Sequence, residues 1–532
     1  MSHSAEVAPW SKLSLFGSRR RPQSSNYSTH SAHSSHSHRI RNPFRHRRSS
    51  DSGGSSSEYD PTDTVPHVAK SFDKSLSGDE FKTAALALLH KLAVPQWRSI
   101  PLEVASLIQV KNIYGALTNT IYQIMPPDSE AMAKHKGLLP RAAPKLLLRI
   151  YGAHVEHLID RTHELAMLKR LSRHNIGPLL LGTFTNGRFE QWLDSRTLSR
   201  LELRDPNLSC SIARRMRELH DGVRLTFTER NAPPTVWTSL DKWLPRAREI
   251  IARRRKKETG RLSHTNLPTL SKLSELTLTD DSISDDLMLG QKWAMFELAL
   301  GRYKLYMEER YPLEKLRHDL AFCHNDVYNA ILSHTNRQAQ YGNILKIENQ
   351  EQLRSPDQRH RQLVVIDFEY AAPNPRAYDL ANHFCEWMYN YHSNTPYIAN
   401  TDEYPTIAER SRFLEAYVAH GSGTKEEKGE RVRLLESEIK EWRVVNHAFW
   451  CAWGVVMSED DPELLFPDGN EMEEEVVQEE RPLDDDQGAT AADFDYIAYA
   501  DQKMRLFWGE LASGTMFDGY KDGIEGAKFI ND

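Results

Sequence analysis

From Phe81 onward apolar residues recur as they do in packed elements. Leu107-Ile108-Gln109-Val110 and Ile121-Tyr122-Gln123-Ile124 flank Tyr114-Gly115-Ala116-Leu117-Thr118-Asn119, a pattern that predicts two strands about a turn. Small and polar turn residues let backbone N–H groups approach phosphate oxygens, although hairpin turns in general favour Gly and Asn. Pro144 to Gly152 predicts a buried strand with Arg149 embedded in it, where a cation is costly unless it is paired. The helical pattern Glu164-Leu165-Ala166-Met167-Leu168 follows. An Arg149–Glu164 pair would link strand and helix, the alternative being a surface ion pair. Gly187 to Leu193 predicts a strand running into a linker, which completes a small, strand-rich lobe. Farther on, the run from Val444 to Trp453 predicts a helix with Trp450 and Trp453 on one face.

Two further strand patterns end in carboxylates. Phe322-Cys323-His324-Asn325-Asp326 is one, and Val364-Val365-Ile366-Asp367-Phe368-Glu369-Tyr370 is the other. A base that takes a hydroxyl proton and an aspartate that holds Mg²⁺ are the two acids phosphoryl transfer needs. Between them lies Gln340-Tyr341-Gly342-Asn343-Ile344-Leu345, which reads as the rest of one catalytic loop. His324, two residues before Asp326, is placed to brace that loop. His383 and His447 lie among apolar neighbours and read as satisfied core groups.

Composition narrows the picture. The 532 residues predict more than one folding unit, and a net charge of −6 argues against nucleic acid as the main partner. Four widely spaced cysteines show no paired metal-ligand pattern and read as unpaired thiols in a reducing cytosol. No apolar run reaches the ~20 residues of a membrane span, and no signal-peptide core opens the chain, so a cytoplasmic protein is expected. Residues 1–75, rich in Ser, His and Arg, read as a disordered tail. Within it, Arg47-Arg48-Ser49-Ser50 reads either as a phosphorylation site or as plain solvated chain. Residues 458–488 carry acidic runs and read as a solvated insertion, and Arg253 to Lys257 as a solvated helix face.

The chain resembles the choline/ethanolamine kinase family over residues 80–530. The most specific part is Ile366-Asp367-Phe368-Glu369-Tyr370-Ala371 with Tyr378-Asp379-Leu380-Ala381-Asn382-His383-Phe384-Cys385-Glu386-Trp387-Met388-Tyr389. The resemblance implies an α+β, two-lobed, protein-kinase-like fold. A β-rich N-lobe would span 76–195 and a mainly helical C-lobe 196–532. It implies transfer of the γ-phosphate of ATP to choline or ethanolamine with Mg²⁺, and leaves a homodimer open. Position by position, Asp326 becomes the base and Asp367 the Mg²⁺ ligand. Asn343 becomes the second metal-side residue, and Gln340 a neighbour of the transferred phosphate. Gly115, Thr118, Asn119, Arg149 and Glu164 fall on the nucleotide side, with Gln191 and Leu193 at the adenine hinge. Asp379 supports the catalytic loop. Tyr370, Glu386, Tyr391, Trp450, Trp453, Phe494 and Tyr499 match the family's choline cage. A quaternary ammonium donates no hydrogen bond and is best held by aromatic faces plus a carboxylate, so choline is preferred over ethanolamine.

One stretch departs from the family pattern. A kinase catalytic loop has four residues between base and metal-side Asn, whereas here Val327 to Gln338 intervene. Removing those twelve residues leaves His-Asn-Asp-Ala-Gln-Tyr-Gly-Asn, with the spacing restored. Either a real loop bulges out while its ends stay together, or a short intron has been translated. The second reading is preferred, since Val327 is encoded by GTN, Thr335-Asn336 can encode CTAAC and Gln338 can end in CAG. A catalytically impaired relative that binds without turnover, and an aminoglycoside-type phosphotransferase, are the rival readings.

Overall fold

The computed structural model describes residues 65–73, 75–113, 119–128, 143–151, 165, 167–171, 176–259, 287–288, 291–326, 341–348, 356–391, 393–460, 494–514 and 526–531. The tail up to residue 64, the stretch 327–338 and the acidic run after 460 lie outside these residues.

The first lobe is a six-stranded sheet in the order β1-β5-β6-β4-β3-β2. Its strands are β1 (His67–Val68), β2 (Gln109–Ile113), β3 (Asn119–Met125), β4 (Leu146–Tyr151), β5 (Leu180–Phe184) and β6 (Gly187–Gln191). Helix α1 (Gly78–Lys91) buries Phe81, Ala85, Leu86, Leu88 and Leu89, the i, i+4 stripe of an amphipathic helix, and sets Phe81 against Tyr122 of β3.

The sheet's outer edge corrects the tail boundary. Residues 65–73 were expected to be disordered, yet β1 pairs in parallel with β5 and Phe72 is buried. Val65, Val68 and Phe72 supply an apolar patch that a composition average hides, and it docks where β5 would otherwise present an open edge.

Residues 192–194 join β6 to β7 (Ser195–Leu198), which belongs to a different sheet. There β7 pairs with β9 (Tyr341–Ile347), and β9 with β10 (Leu363–Val365), both antiparallel. A third antiparallel pair is β8 (Leu320–Cys323) with β11 (Ala372–Pro375). Around these strands pack helices α2 (Pro206–Gly222), α3 (Thr235–Thr259), α4 (Trp293–Arg310), α5 (Arg376–Glu386), α6 (Ile407–Ala419), α7 (Lys425–Met457) and α8 (Tyr496–Ser513). The described architecture is therefore the expected small β lobe and larger helical lobe.

Helix α7 changes character along its length. Its first half is polar and opens on a capping box of Thr424 and Glu427, which satisfies the end N–H groups. From Trp442 to Met457 every residue is buried. Gly454 lets α8 approach closely, because a Cβ there would lie 3.0 Å from the Tyr496 carbonyl oxygen. A second apolar cluster ties Met167, Leu168, Leu171 and Leu180 to Phe322, Val365 and Phe368. Gly177, at φ +76°, is needed there, since a Cβ would meet the Phe368 ring at 3.0 Å.

Candidate active site

The turn after β8 carries His324, Asn325 and Asp326. Asn325 adopts φ 63°, a left-handed conformation that Asn tolerates better than most residues. Its N–H donates to Asp379 Oδ1 at 2.7 Å, and its amide donates to the Tyr370 carbonyl at 2.8 Å. Asp379, on α5, also accepts the His324 N–H at 3.1 Å and His220 Nε2 at 2.8 Å through Oδ2. Burial alone would raise the Asp379 pKa, but the His220 hydrogen bond and the converging donors hold it below the usual carboxylate range. Burial keeps His220 neutral, with Nδ1 2.7 Å from the Tyr417 hydroxyl. His324 braces the loop as expected. Its Nε2 donates to the Ile366 carbonyl at 2.9 Å and its Nδ1 accepts the Asp326 N–H at 3.3 Å. Burial lowers its pKa, which favours this neutral tautomer.

The second acid comes from the end of β10. Asp367 has φ 61°, a conformation that costs on the order of 1–3 kcal/mol outside glycine. Two contacts bracket it. The Ile366 N–H donates to the Asn343 carbonyl at 2.9 Å, and Phe368 is anchored between the lobes. Asn343 in turn donates its amide to the Asp326 carbonyl at 2.8 Å, although the two residues are seventeen apart in sequence. The ends of the long loop are therefore held together, with Asn343 beside Asp326.

Arg149 reaches this site from β4. Its guanidinium lies 3.8 Å from Asp367 Oδ1, 3.7 Å from Glu369 Oε1 and 3.8 Å from Glu190 Oε1. Burial and Arg188 oppose its charge, but the three carboxylates outweigh them and its pKa is raised. The cation expected to face phosphate thus joins the small lobe to the second acid. Its expected partner Glu164 lies outside the described residues, as do Gly115, Thr118 and Gln340. Asn119 opens β3, opposite Tyr151. Gln191 ends β6, and Leu193 lies in the linker between the two sheets.

The seven expected cage residues form one cluster. Trp450 and Trp453 meet edge to face at 5.2 Å, and Tyr370 meets Trp450 at 5.6 Å. Trp453 Nε1 donates to the Tyr370 hydroxyl at 2.8 Å. Tyr499 contacts Trp453 at 6.0 Å and Phe494 at 5.7 Å. The Tyr391 hydroxyl donates to Glu386 Oε2 at 2.6 Å. Burial pushes the Tyr391 and Tyr499 phenols far up, so both stay neutral. Asp326 is among the groups that push the Tyr370 and Tyr499 phenols up, after burial, so it lies near this aromatic cluster.

Sequence reasoning missed several supports. Asn382 accepts both Trp450 Nε1 at 2.7 Å and the Asn446 amide at 2.8 Å, which fixes the tryptophan. Lys503 of α8 sits among Tyr389, Tyr499 and Glu386. Neither residue type signals such a role in isolation. The expectation that His383 and His447 are satisfied is corrected. Both are buried, but neither ring nitrogen of either has a hydrogen-bond partner among the described residues. Burial lowers their pKa values, that of His383 to about 4, so they pack as neutral rings. Arg253 is about half exposed and pairs with Glu459, close to the expected solvated face.

The family model for choline/ethanolamine kinase matches residues 110–508. The choline kinase of Saccharomyces cerevisiae is 33% identical, over 86% of this chain and 80% of its own length. The ethanolamine kinase of the same yeast is 30% identical, over 85% and 80%. Among solved structures, choline kinase from Cryptosporidium parvum aligns with a TM-score of 0.50 at 22% identity, covering 82% of this chain and 96% of that one. Plasmodium vivax ethanolamine kinase aligns with a TM-score of 0.50 at 19% identity, covering 84% and 93%. These two structures establish the fold.

Proposed function

The chain belongs to the choline/ethanolamine kinase family, and from that premise we propose that it phosphorylates choline with ATP, giving phosphocholine and ADP for phosphatidylcholine synthesis. The observation that carries the reading is the Asn343–Asp326 hydrogen bond. It joins a base and a metal-side residue across a loop of unusual length.

Asp326 accepts the choline hydroxyl proton as the oxygen attacks the γ-phosphorus, and the bond to the β-phosphate oxygen breaks to release ADP. Arg149 offsets phosphate charge from the small lobe. Trp450, Trp453, Tyr370 and Tyr499 present ring faces to the ammonium group, which orients the hydroxyl toward Asp326. The donors fit Mg²⁺. Asp367 Oδ1 is buried and accepts no hydrogen bond among the described residues, and Asn343 keeps its side-chain oxygen as an acceptor, so both offer the hard oxygens this ion requires. Mg²⁺ bound there supplies charge neutralisation to the phosphates. Ethanolamine is a second substrate of the same site, a reading favoured by the yeast ethanolamine kinase at comparable coverage. Four free thiols accord with a cytoplasmic setting, and no described helix is long and apolar enough to cross a membrane.

The test is ATP-dependent phosphorylation of both amines by the purified chain. Asp326→Asn should lower kcat by about 10²- to 10⁴-fold, as expected for loss of a general base. Trp450→Ala and Trp453→Ala should instead raise the choline KM, on the order of tenfold each. An unchanged KM would remove the cage assignment and leave an aminoglycoside-type substrate as the better reading.

A further inference from the structure

We propose that Lys503 sets which amine the cage accepts, by neutralising Glu386 from inside the protein. The inference rests on the amine-kinase reading above and extends it to selectivity.

Lys503 is fully buried on α8. Its Nζ lies 3.4 Å from Glu386 Oε1, and 4.3 Å and 5.1 Å from the ring centroids of Tyr389 and Tyr499. Glu386 is only 2% exposed, and its other oxygen already accepts the Tyr391 hydroxyl at 2.6 Å. The one carboxylate assigned to the ammonium is therefore balanced by a built-in cation and partly occupied as an acceptor. Tyr499 touches Lys503 on one side and packs against Trp453 and Phe494. It is a shared wall between the resident cation and the tryptophan seat.

This arrangement separates the two amines by their chemistry. A trimethylammonium group has no N–H, needs no acceptor, and is drawn to ring faces. A primary ammonium leaves water with three donors, and each one left unpaired in a dry site raises the cost of binding. With Glu386 engaged by Lys503 and Tyr391, the seat favours the methylated cation. A role in packing alone would be met by an apolar side chain of similar length, because a buried ion pair is a weak source of stability.

The experiment measures kcat and KM for choline and for ethanolamine on the full chain. It compares wild type, Lys503→Met, Lys503→Arg, Glu386→Gln and the double variant Glu386→Gln with Lys503→Met. Lys503→Met should lower the choline-to-ethanolamine ratio of kcat/KM by about thirtyfold or more, the scale of losing one partner of a buried charge pair. Lys503→Arg should hold the ratio. Glu386→Gln alone leaves the lysine charge unbalanced and should raise the KM of both amines. Adding Lys503→Met should bring the choline KM part of the way back, short of wild type because the cage carboxylate is gone. The double variant buries no unpaired charge, so it decides the matter even if Lys503→Met fails to fold. A ratio unchanged in Lys503→Met, or a double variant no better than Glu386→Gln, overturns the proposal and leaves the kinase reading intact. A wild-type chain that turns over neither amine overturns both.

Discussion

At the residue scale the candidate site depends on one buried carboxylate. Asp379 is fully buried, and it receives the backbone of both His324 and Asn325 together with His220. Its pKa is depressed in the folded chain. The stability it supplies is therefore present above the ordinary carboxylate value of about 4, and is lost as pH falls through the lower folded value. Asp379→Asn should cost about 3 kcal/mol at neutral pH, the scale of breaking a buried charge-assisted network. It should also flatten the acid side of the pH–stability curve. Urea unfolding of both proteins at several pH values checks this, and a parallel curve of unchanged shape would contradict it. Kinetically the loss should fall on kcat, because the loop carrying Asp326 loses its anchor while the amine seat does not. Asp326 and Asp367 were legible as acids that follow apolar strand patterns, whereas the tryptophan pair, which by spacing alone reads as core packing, was singled out through the family resemblance. Lys503 and Asn382 were not. A lysine on an amphipathic helix reads as solvated, and only the tertiary position of α8 against Glu386 shows otherwise.

At the element scale, the question is what the twelve residues 327–338 do to the loop. Asn343 is held on the Asp326 carbonyl, and β9 pairs with both β7 and β10. Removing the twelve shortens the intervening chain from sixteen residues to four, and each halving of a loop lowers its closure cost by about 0.6 kcal/mol. The shortened chain should therefore be stabilised by about 1 kcal/mol and should phosphorylate choline at least as fast as the full one. A thermal melt and an initial-rate assay on the pair decide it. A shortened chain that is folded but inactive, beside an active full chain, would show that the segment contributes to the site. Strands β2, β3, β4 and β6 of the small lobe were readable from apolar runs and turn residues, whereas β5 was not singled out. The docking of β1 was not, because two strand residues in a Ser- and His-rich tail carry too little pattern to be seen.

At the scale of the whole molecule, Arg149 and Phe368 tie the two lobes at the second acid. A nucleotide bound between them should raise the melting temperature. At 100 times Kd the linkage is worth about 2.7 kcal/mol, which for a chain of this size is a shift of a few degrees. With Mg²⁺ the shift should be larger than with ATP and a chelator, and Asp367→Asn should erase that difference. Equal shifts in wild type with and without Mg²⁺ would remove Asp367 and Asn343 from the metal role. The strand-rich first lobe was readable from its short apolar runs, and the two-lobed plan followed from the family resemblance. The joint between lobes did not, because Arg149 finds Asp367 and Glu369 from more than two hundred residues away. Every residue of the proposed cage comes from the chain after β10, whereas Arg149, proposed to face the phosphates, comes from β4. A small quaternary ammonium without a hydroxyl, such as tetramethylammonium, would fill the cage and offer Asp326 no proton to take. It should therefore inhibit in competition with choline while leaving the apparent KM for ATP unchanged.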